Sequence, residues 1–410
     1  MSETYIGRQA IYDRNLGVHG YELLYRAGAT SQVADHTDGD QATARMIANA
    51  FLEQGAGNLV GDGVCFVNLT KSFLTGKLPL PLPVDRVVIE VLEDVIPTPE
   101  IIEGVRRLRD QGVRVAMDDY IHRSENHELL ELCDYVKIDL RVQDREATIE
   151  LLKLLKPYGL KLLAEKVETM EEMRFCQEAG FDYFQGFFLT KPEVIKGKGV
   201  PANRIALLRM LSRLLDPNVE VEELEEMIEQ DVSLAYRLLR YANSSVYAPS
   251  QPITAIGQTL MMLGLKAVQK IVSLIVLVEL DDRPGDLLGQ SLVRAKMCEV
   301  LAARAGFDDT TQHYTAGLLS TLDALTSTPM PTVLNYLPLA NDLEGALLGV
   351  EGDLGDALAC VRSFGEGDWS KSVYHGLDSM ALTECYAEGV EYSRQVWDAM
   401  PKEVPKKKAS

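Results

Sequence analysis

Carboxylates, amides and one lysine recur at the carboxyl ends of short apolar runs through the first half of the chain. Asn68 closes CFVNLT, Glu90 stands in RVVIEVLE, Asp118 and Asp119 end RVAMDDY, and Lys137 and Asp139 lie in YVKIDL. Glu165 and Glu168 follow in KLLAEKVE and Gln185 in FDYFQGF, while Glu22 precedes them all in GYELLYR. Brought together, Glu22, Asn68, Glu90 and Asp118 make an all-oxygen site of the kind a hard divalent cation such as Mg²⁺ or Mn²⁺ prefers. Without a cation, carboxylates so close repel, and at least one must hold a proton. Asp119 offers a ligand to a second cation, and Glu165 completes it. Two metals about 3.5–4 Å apart clamp a phosphodiester for in-line attack by water. Lys137 adds a positive charge near that water, and Gln185 a hydrogen bond to ligand or metal-bound water.

The elements that position these residues alternate. Arg8–Tyr12 and His19–Arg26 read as two strands joined by a turn at Asp13–Gly17. Gln41–Gln54 reads as a helix. Strands follow at Val64–Leu69, Arg86–Val91, Val113–Met117, Tyr135–Ile138, Lys161–Ala164 and Tyr183–Gln185. The helices between them are expected at Pro99–Asp110, His127–Cys133, Asp144–Tyr158 and Met170–Ala179. Short connections between alternating β and α imply parallel strands with right-handed crossovers. The expectation is an α/β barrel, TIM-like, with an irregular N-terminal hairpin that forces one antiparallel pair. Polar residues at the strand tips then fall at the catalytic face of such a barrel. Beyond Lys196–Pro201 the pattern is almost wholly helical, with helices at Ala202–Leu215, Val221–Ile228, Asp231–Asn243, Ile256–Leu263 and Leu265–Leu280. The division expected is a barrel at 1–197, an all-α domain at 198–400 and a basic flexible tail at 401–410.

Composition bounds the partners. The 410 residues are 46% hydrophobic and 25% charged, with a net charge of −20. That acidity argues against a nucleic-acid polymer or an anionic membrane, both of which need a basic face. It leaves room for a small anion, because a bound cation reverses the local field. No signal peptide is visible, and the apolar run Ile271–Leu280 is half the roughly 20 residues a membrane span needs. The six cysteines are scattered without a CxxC pair, several within apolar runs, which fits a reduced, cytoplasmic protein.

Taken together, the segments of the first half resemble the EAL-domain family, phosphodiesterases of the bacterial second messenger cyclic di-GMP. The resemblance rests on Glu22-Leu23-Leu24 with Arg26, Val67-Asn68-Leu69-Thr70, Glu90-Val91-Leu92-Glu93, the pair Asp118 and Asp119, and Lys137-Ile138-Asp139. Glu165 with Glu168, and Gln185-Gly186 with Lys191-Pro192, complete it over residues ~5–195. It implies Mg²⁺ or Mn²⁺, two per barrel, held by Glu22, Asn68, Glu90, Asp118, Asp119 and Glu165. It places Lys137, Glu165 and Glu168 in catalysis, and Gln9, Arg26 and Gln185 at the dinucleotide. A homodimer is implied by the resemblance alone. Four positions depart from the family. Leu23 replaces a small residue, and Tyr120-Ile121-His122-Arg123 replaces a glycine-bearing loop, whose backbone freedom these residues lack. Lys166 replaces a glycine, and Ala29–Val60 replaces the usual segment after the first motif.

The helical half resembles the HDOD family, relatives of the HD-type metal phosphohydrolases, through Asp231–Ser245, Ile256–Gly264 and Ala316–Asp323. Ser320 and Thr321 stand where hydrolases of that type carry a His-Asp pair. His313 alone reads as a helix-surface residue, and His375 is remote. The resemblance therefore implies a regulatory module that binds a protein partner. Three readings of the whole follow: a cyclic di-GMP phosphodiesterase controlled by the helical domain, a degenerate barrel that binds without turnover, and a scaffold with both sites vestigial.

Overall fold

The structure, a computed structural model, describes residues 4–27, 63–78, 86–92, 95–122, 126–186, 188, 202–216, 218–244, 247, 249, 251–280 and 287–399. The helix expected at Gln41–Gln54, the Ala29–Val60 segment, Glu93, Arg123, Lys191, Pro192, the 196–201 linker and the 401–410 tail lie outside them. Contacts divide the chain into two compact units. One comprises Met1–Glu193 with Pro284–Asp286 and Ala359–Ala387, and the other Val194–Arg283 with Leu287–Leu358 and Glu388–Ser410.

In the first unit the apolar runs become strands because burial on both faces removes the need for alternation. They are β1 (Thr4–Asp13), β2 (Val18–Ala27), β3 (Val64–Leu69), β4 (Val87–Val91), β5 (Arg114–Met117), β6 (Tyr135–Asp139), β7 (Lys161–Glu165) and β8 (Tyr183–Gln185). Every residue of β4 and of β6 is buried. The eight strands close into a barrel in sequence order. All neighbouring pairs are parallel except those made by β1, which is antiparallel to both β2 and β8. The sequence reading expected one antiparallel pair. Closure makes two, because a reversed strand in a ring opposes both of its neighbours.

Helices α1 (Lys71–Leu74), α2 (Pro99–Asp110), α3 (His127–Leu130), α4 (Arg145–Leu155) and α5 (Met170–Ala179) connect the parallel strands. Side chains fix their starts. Thr98 accepts from Ile101 N, Asp144 accepts from Ala147 N, and Thr169 and Glu172 cap each other's backbone at α5. Helix α4 ends three residues before the expected Tyr158, in a 3₁₀ turn at Lys156–Tyr158. Pro157 has no N–H to continue the helix, and Gly159 then takes φ 65°.

Side chains alternate in and out of the barrel with a period of two. Ile11, Phe66, Val88, Ala116, Tyr135 and Leu163 form one apolar layer inside it, with Val64 and Tyr183 against them. One step nearer the carboxyl ends, the same faces carry Asn68, Glu90, Asp118, Lys137, Glu165 and Gln185. Register sets Glu22 opposite Phe66, Asn68 opposite Glu90, and Lys137 opposite Leu163. A dry floor therefore lies directly beneath the polar layer. From the returning segment of the same unit, Trp369 packs over Gly7 of β1, where a Cβ would stand 3.3 Å from its ring.

The second unit is helical among its described residues. Helices α6 (Ala202–Leu214), α7 (Val221–Gln230), α8 (Val232–Ala242), α9 (Ile256–Leu263), α10 (Leu265–Leu280), α11 (Leu287–Arg304) and α12 (Thr311–Leu319) form most of it. Asp231 caps α8 by accepting from Ser233 N and Leu234 N. Asn243 donates to Leu239 O and Ile253 O and accepts from Ile253 N, each at 2.8 Å. The Ala242-Asn243-Ser244 run thus fastens the end of α8 to the following chain. Gly317 lets α12 approach α11, since a Cβ there would lie 2.4 Å from Arg294 O. Ser320 accepts from Arg294, and Thr321 shares a hydrogen bond with Ser291. His313, expected on a helix surface, is buried against Phe307. The run Ile271–Leu280 is a buried helix, and all six cysteines are buried thiols.

At Gly20 of β2 the backbone of β3 leaves no room for a side chain, an added Cβ standing 2.2 Å from Val64 O. Gly20→Ala should lower stability by about 1–3 kcal/mol, the usual cost of overpacking, read as a lower urea midpoint.

Candidate active site

The polar layer gathers around one atom. Lys137, fully buried on β6, places Nζ 2.7 Å from Glu90 Oε1, 2.7 Å from Asp118 Oδ1, 3.0 Å from Glu165 Oε1 and 3.2 Å from Glu22 Oε2. Four strands each deliver one carboxylate to a single ammonium. Sequence reasoning placed Lys137 beside an attacking water. The structure makes it the hub of the cluster. Gln185 Nε2 donates to Glu22 Oε2 at 2.6 Å and to Gln9 Oε1 at 3.0 Å, so β1 and β8 close the ring of site residues. Asn68 Nδ2 donates to Glu22 Oε1 at 3.3 Å. Arg26 lies on β2 opposite Tyr5, and its side chain is outside the described residues.

Burial and charge act on these groups together. Burial pushes Glu90 well above the ordinary carboxylate range, and Glu22 and Asp118 push the same way against Lys137. Burial raises Glu165 to about 8, with Lys137 opposing and Asp118 and Glu22 adding. Asp119 is raised by burial and by Asp118. Burial works against the charge on Lys137, but the four carboxylates outweigh it and hold the ammonium well above the ordinary lysine range. The layer keeps seven buried oxygens without a hydrogen bond, on Asn68, Glu90, Asp118, Asp119, Glu165 and Gln185, although two of them face Lys137 as ion pairs. Among the described residues no three acid, histidine or cysteine side chains surround one point as metal ligands. The carboxylates close on the ammonium instead.

A second acidic corner lies beside this cluster. Asp119 has φ 40° and Lys166 φ 55°, both left-handed. Asp139, 7% exposed, accepts from Arg141 N at 2.7 Å and from Lys166 Nζ at 2.5 Å. Glu168 is half-buried past the end of β7, where its amide donates to Glu172 Oε2 at 2.8 Å. Sequence reasoning gave Asp139 no certain role and passed over Arg141 and Glu172. The available signal was Lys166 itself, a long cation where the motif has glycine. Beyond Asp119, Tyr120 is buried and its hydroxyl meets His122 Nδ1 at 3.0 Å. With Ile121, Asp139 and Val142 they line a cleft of about 370 Å³.

A carboxylate tip on each of several parallel strands, joined to a helical unit, is the arrangement of an EAL-type barrel with an HDOD companion. The family described as EAL domain matches residues 71–192, and that described as HDOD domain matches 200–330. The chain belongs to the family of proteins that join an EAL domain to an HDOD domain. It is 33% identical over 382 residues to a Vibrio cholerae protein named cyclic di-GMP phosphodiesterase CdgJ, covering 92% of this chain and 88% of that one. It is 32% identical over 408 residues to the uncharacterized protein YuxH of Bacillus subtilis, covering 97% and 99%. A Klebsiella pneumoniae BlrP1 structure, a calcium and cyclic di-GMP complex, is 22% identical with a TM-score of 0.38, over 45% of this chain and 54% of that one. No helix among the described residues is long and apolar enough to cross a membrane.

Lys137→Met leaves four buried carboxylates without their counter-charge and should cost about 3–5 kcal/mol in urea unfolding. Glu165 and Glu90 bind protons more tightly folded than unfolded. Their contribution to stability is therefore full below the ordinary carboxylate range and is lost as pH rises through about 8 for Glu165. The melting temperature of the metal-free protein should fall across that window, and Glu165→Gln should flatten the fall.

Proposed function

We propose that the chain is a bacterial cyclic di-GMP signalling protein whose barrel hydrolyses cyclic di-GMP to linear pGpG, under control of the HDOD domain. The observation that carries this reading is the set of buried oxygens without hydrogen bonds, gathered from separate strand tips onto one face of a dry floor. Hard divalent cations seek that donor set. The name of the Vibrio relative supports the substrate. Glu22, Asn68, Glu90 and Asp118 would hold one Mg²⁺ or Mn²⁺, and Asp119 with Glu165 a second. Bound there, such cations polarise a phosphoryl oxygen and lower the pKa of water.

The chain's own residues do the rest. Lys137 balances the carboxylates and presents N–H donors beside the attacking water. Glu165 and Glu168 serve proton transfer and alignment, and Gln9, Arg26 and Gln185 orient the dinucleotide. The division of labour follows residues 1–197 and 198–400, with 401–410 as a basic tail, and the HDOD domain receives a protein partner. Cytoplasmic residence and a homodimer belong to the same proposal.

A second reading, a barrel that binds cyclic di-GMP without turnover, is favoured by one observation. The loop after Asp119 carries a buried Tyr120 tied to His122 where glycines would give backbone freedom. Hydrolysis of cyclic di-GMP with Mg²⁺ or Mn²⁺, followed as pGpG release, decides between them. Outer-shell partners of metals cost about 10–100-fold when removed, so Glu22→Ala, a direct ligand, should lose at least that much turnover. Turnover that survives Glu22→Ala would overturn the assignment. Binding of cyclic di-GMP with no pGpG in either metal would select the second reading.

A further inference from the structure

Lys166 is a long, charged residue in a backbone conformation that side chains rarely adopt, with φ 55°. The chain holds it there. Arg141 donates to Lys166 O through Nε at 3.3 Å and Nη2 at 3.1 Å, and the same Nη2 is anchored to Glu172 Oε2 at 2.6 Å. Glu172 is in turn fixed as the capping residue of α5. The turn therefore aims the Lys166 side chain back toward the strand tips. There Nζ meets Asp139 Oδ2 at 2.5 Å, and Asp119 and Glu165 lie near enough to act on its charge. Asp119 Oδ1 and Glu165 Oε2 are buried without a hydrogen bond. Asp119 and Glu165 are the residues assigned above to the second cation.

We propose that Lys166 is a tethered competitor for that second cation, its ammonium supplying positive charge to the Asp119–Asp139–Glu165 corner so that a metal ion enters only by displacing or outbidding it. The inference rests on the two-cation reading of the barrel. Lys137 plays a different part. It is fully buried, four carboxylates hold it, and it belongs to the first cluster. Lys166 is bound through one short contact, and its side chain is 55% exposed, so it can swing away without breaking the fold. The barrel on this account fills in two stages. Lys137 faces the ligands of both ions, through Glu22, Glu90 and Asp118 on one side and Glu165 on the other, so the ion at Asp119 and Glu165 is the weaker because Lys166 adds a further ammonium at that corner alone.

The test counts Mn²⁺ on the full chain by the electron paramagnetic resonance signal of the free ion, without substrate. Wild type should show one tight and one weak site. Lys166→Met removes the charge and keeps the stem, and should tighten only the weak site, by about tenfold or more, the scale on which neighbours of a metal shift its affinity. Lys166→Arg keeps the charge and should leave the site weak. Lys166→Gly removes the left-handed strain as well and should behave as Lys166→Met, which covers the case in which the methionine variant folds poorly. Equal sites in wild type, or tightening by Lys166→Arg as large as by Lys166→Met, would overturn the proposal while sparing the metal reading. No bound Mn²⁺ in any variant would overturn both.

Discussion

One buried ammonium governs the barrel's interior. Lys137 has no exposure, and four strands point carboxylates at it. Without it those carboxylates would face each other at the end of a low-dielectric tube. Each charge would then have to be neutralised by a proton or removed from the interior. With it, a set of acidic groups that would otherwise oppose closure becomes a reason for β2, β4, β5 and β7 to converge. Attraction to one centre does not by itself make the barrel stable, because each charge also pays to leave water. It does fix where the tips stand, and any chemistry at them depends on that placement.

The barrel was legible because its chemistry and its packing follow the same two-residue period. Val88 and Glu90, Ala116 and Asp118, Leu163 and Glu165 are pairs on one strand face, the first in the floor and the second in the site. Strand limits at Val64–Leu69 and Tyr183–Gln185, and helix limits at Pro99–Asp110 and Met170–Ala179, coincide with those read from apolar runs and caps. What sequence could not show was distance. Lys137 and the four acids are spread over more than a hundred positions, and only closure makes the lysine their common neighbour. The same limit hid the Asp139–Lys166 contact, since a left-handed residue 27 positions away is invisible to periodicity. The second antiparallel pair of β1 was missed for a topological reason, because a hairpin is local and a ring is not.

In the helical unit, packing explains most of the residues that drew attention. Asn243 is spent on backbone groups, Gly317 on a close helix approach, and Thr321 on a hydroxyl partner. His313 lies in the core against Phe307. A motif that looks functional in the sequence can thus be the means by which short helices are fastened to each other. The acidic surface of α7, with Glu222, Glu223 and Glu226 around a buried Leu224 and Ile228, is the solvated face of an amphipathic helix.

The reversed polarity of β1 has a practical side. Because β1 runs against the other strands, its first residue, Thr4, pairs with Ala27 at the far end of β2. β2 meets β3 as far as Leu23, so the hairpin carries on past that pairing on the side where the carboxylates open, with Trp369 over Gly7 and Gly367 beside Leu24. Thr4, where the described residues begin, therefore stands on the side of the barrel to which the carboxylates open. A bulky label near that end of the hairpin would stand beside the opening onto the carboxylates, on the side away from the apolar floor.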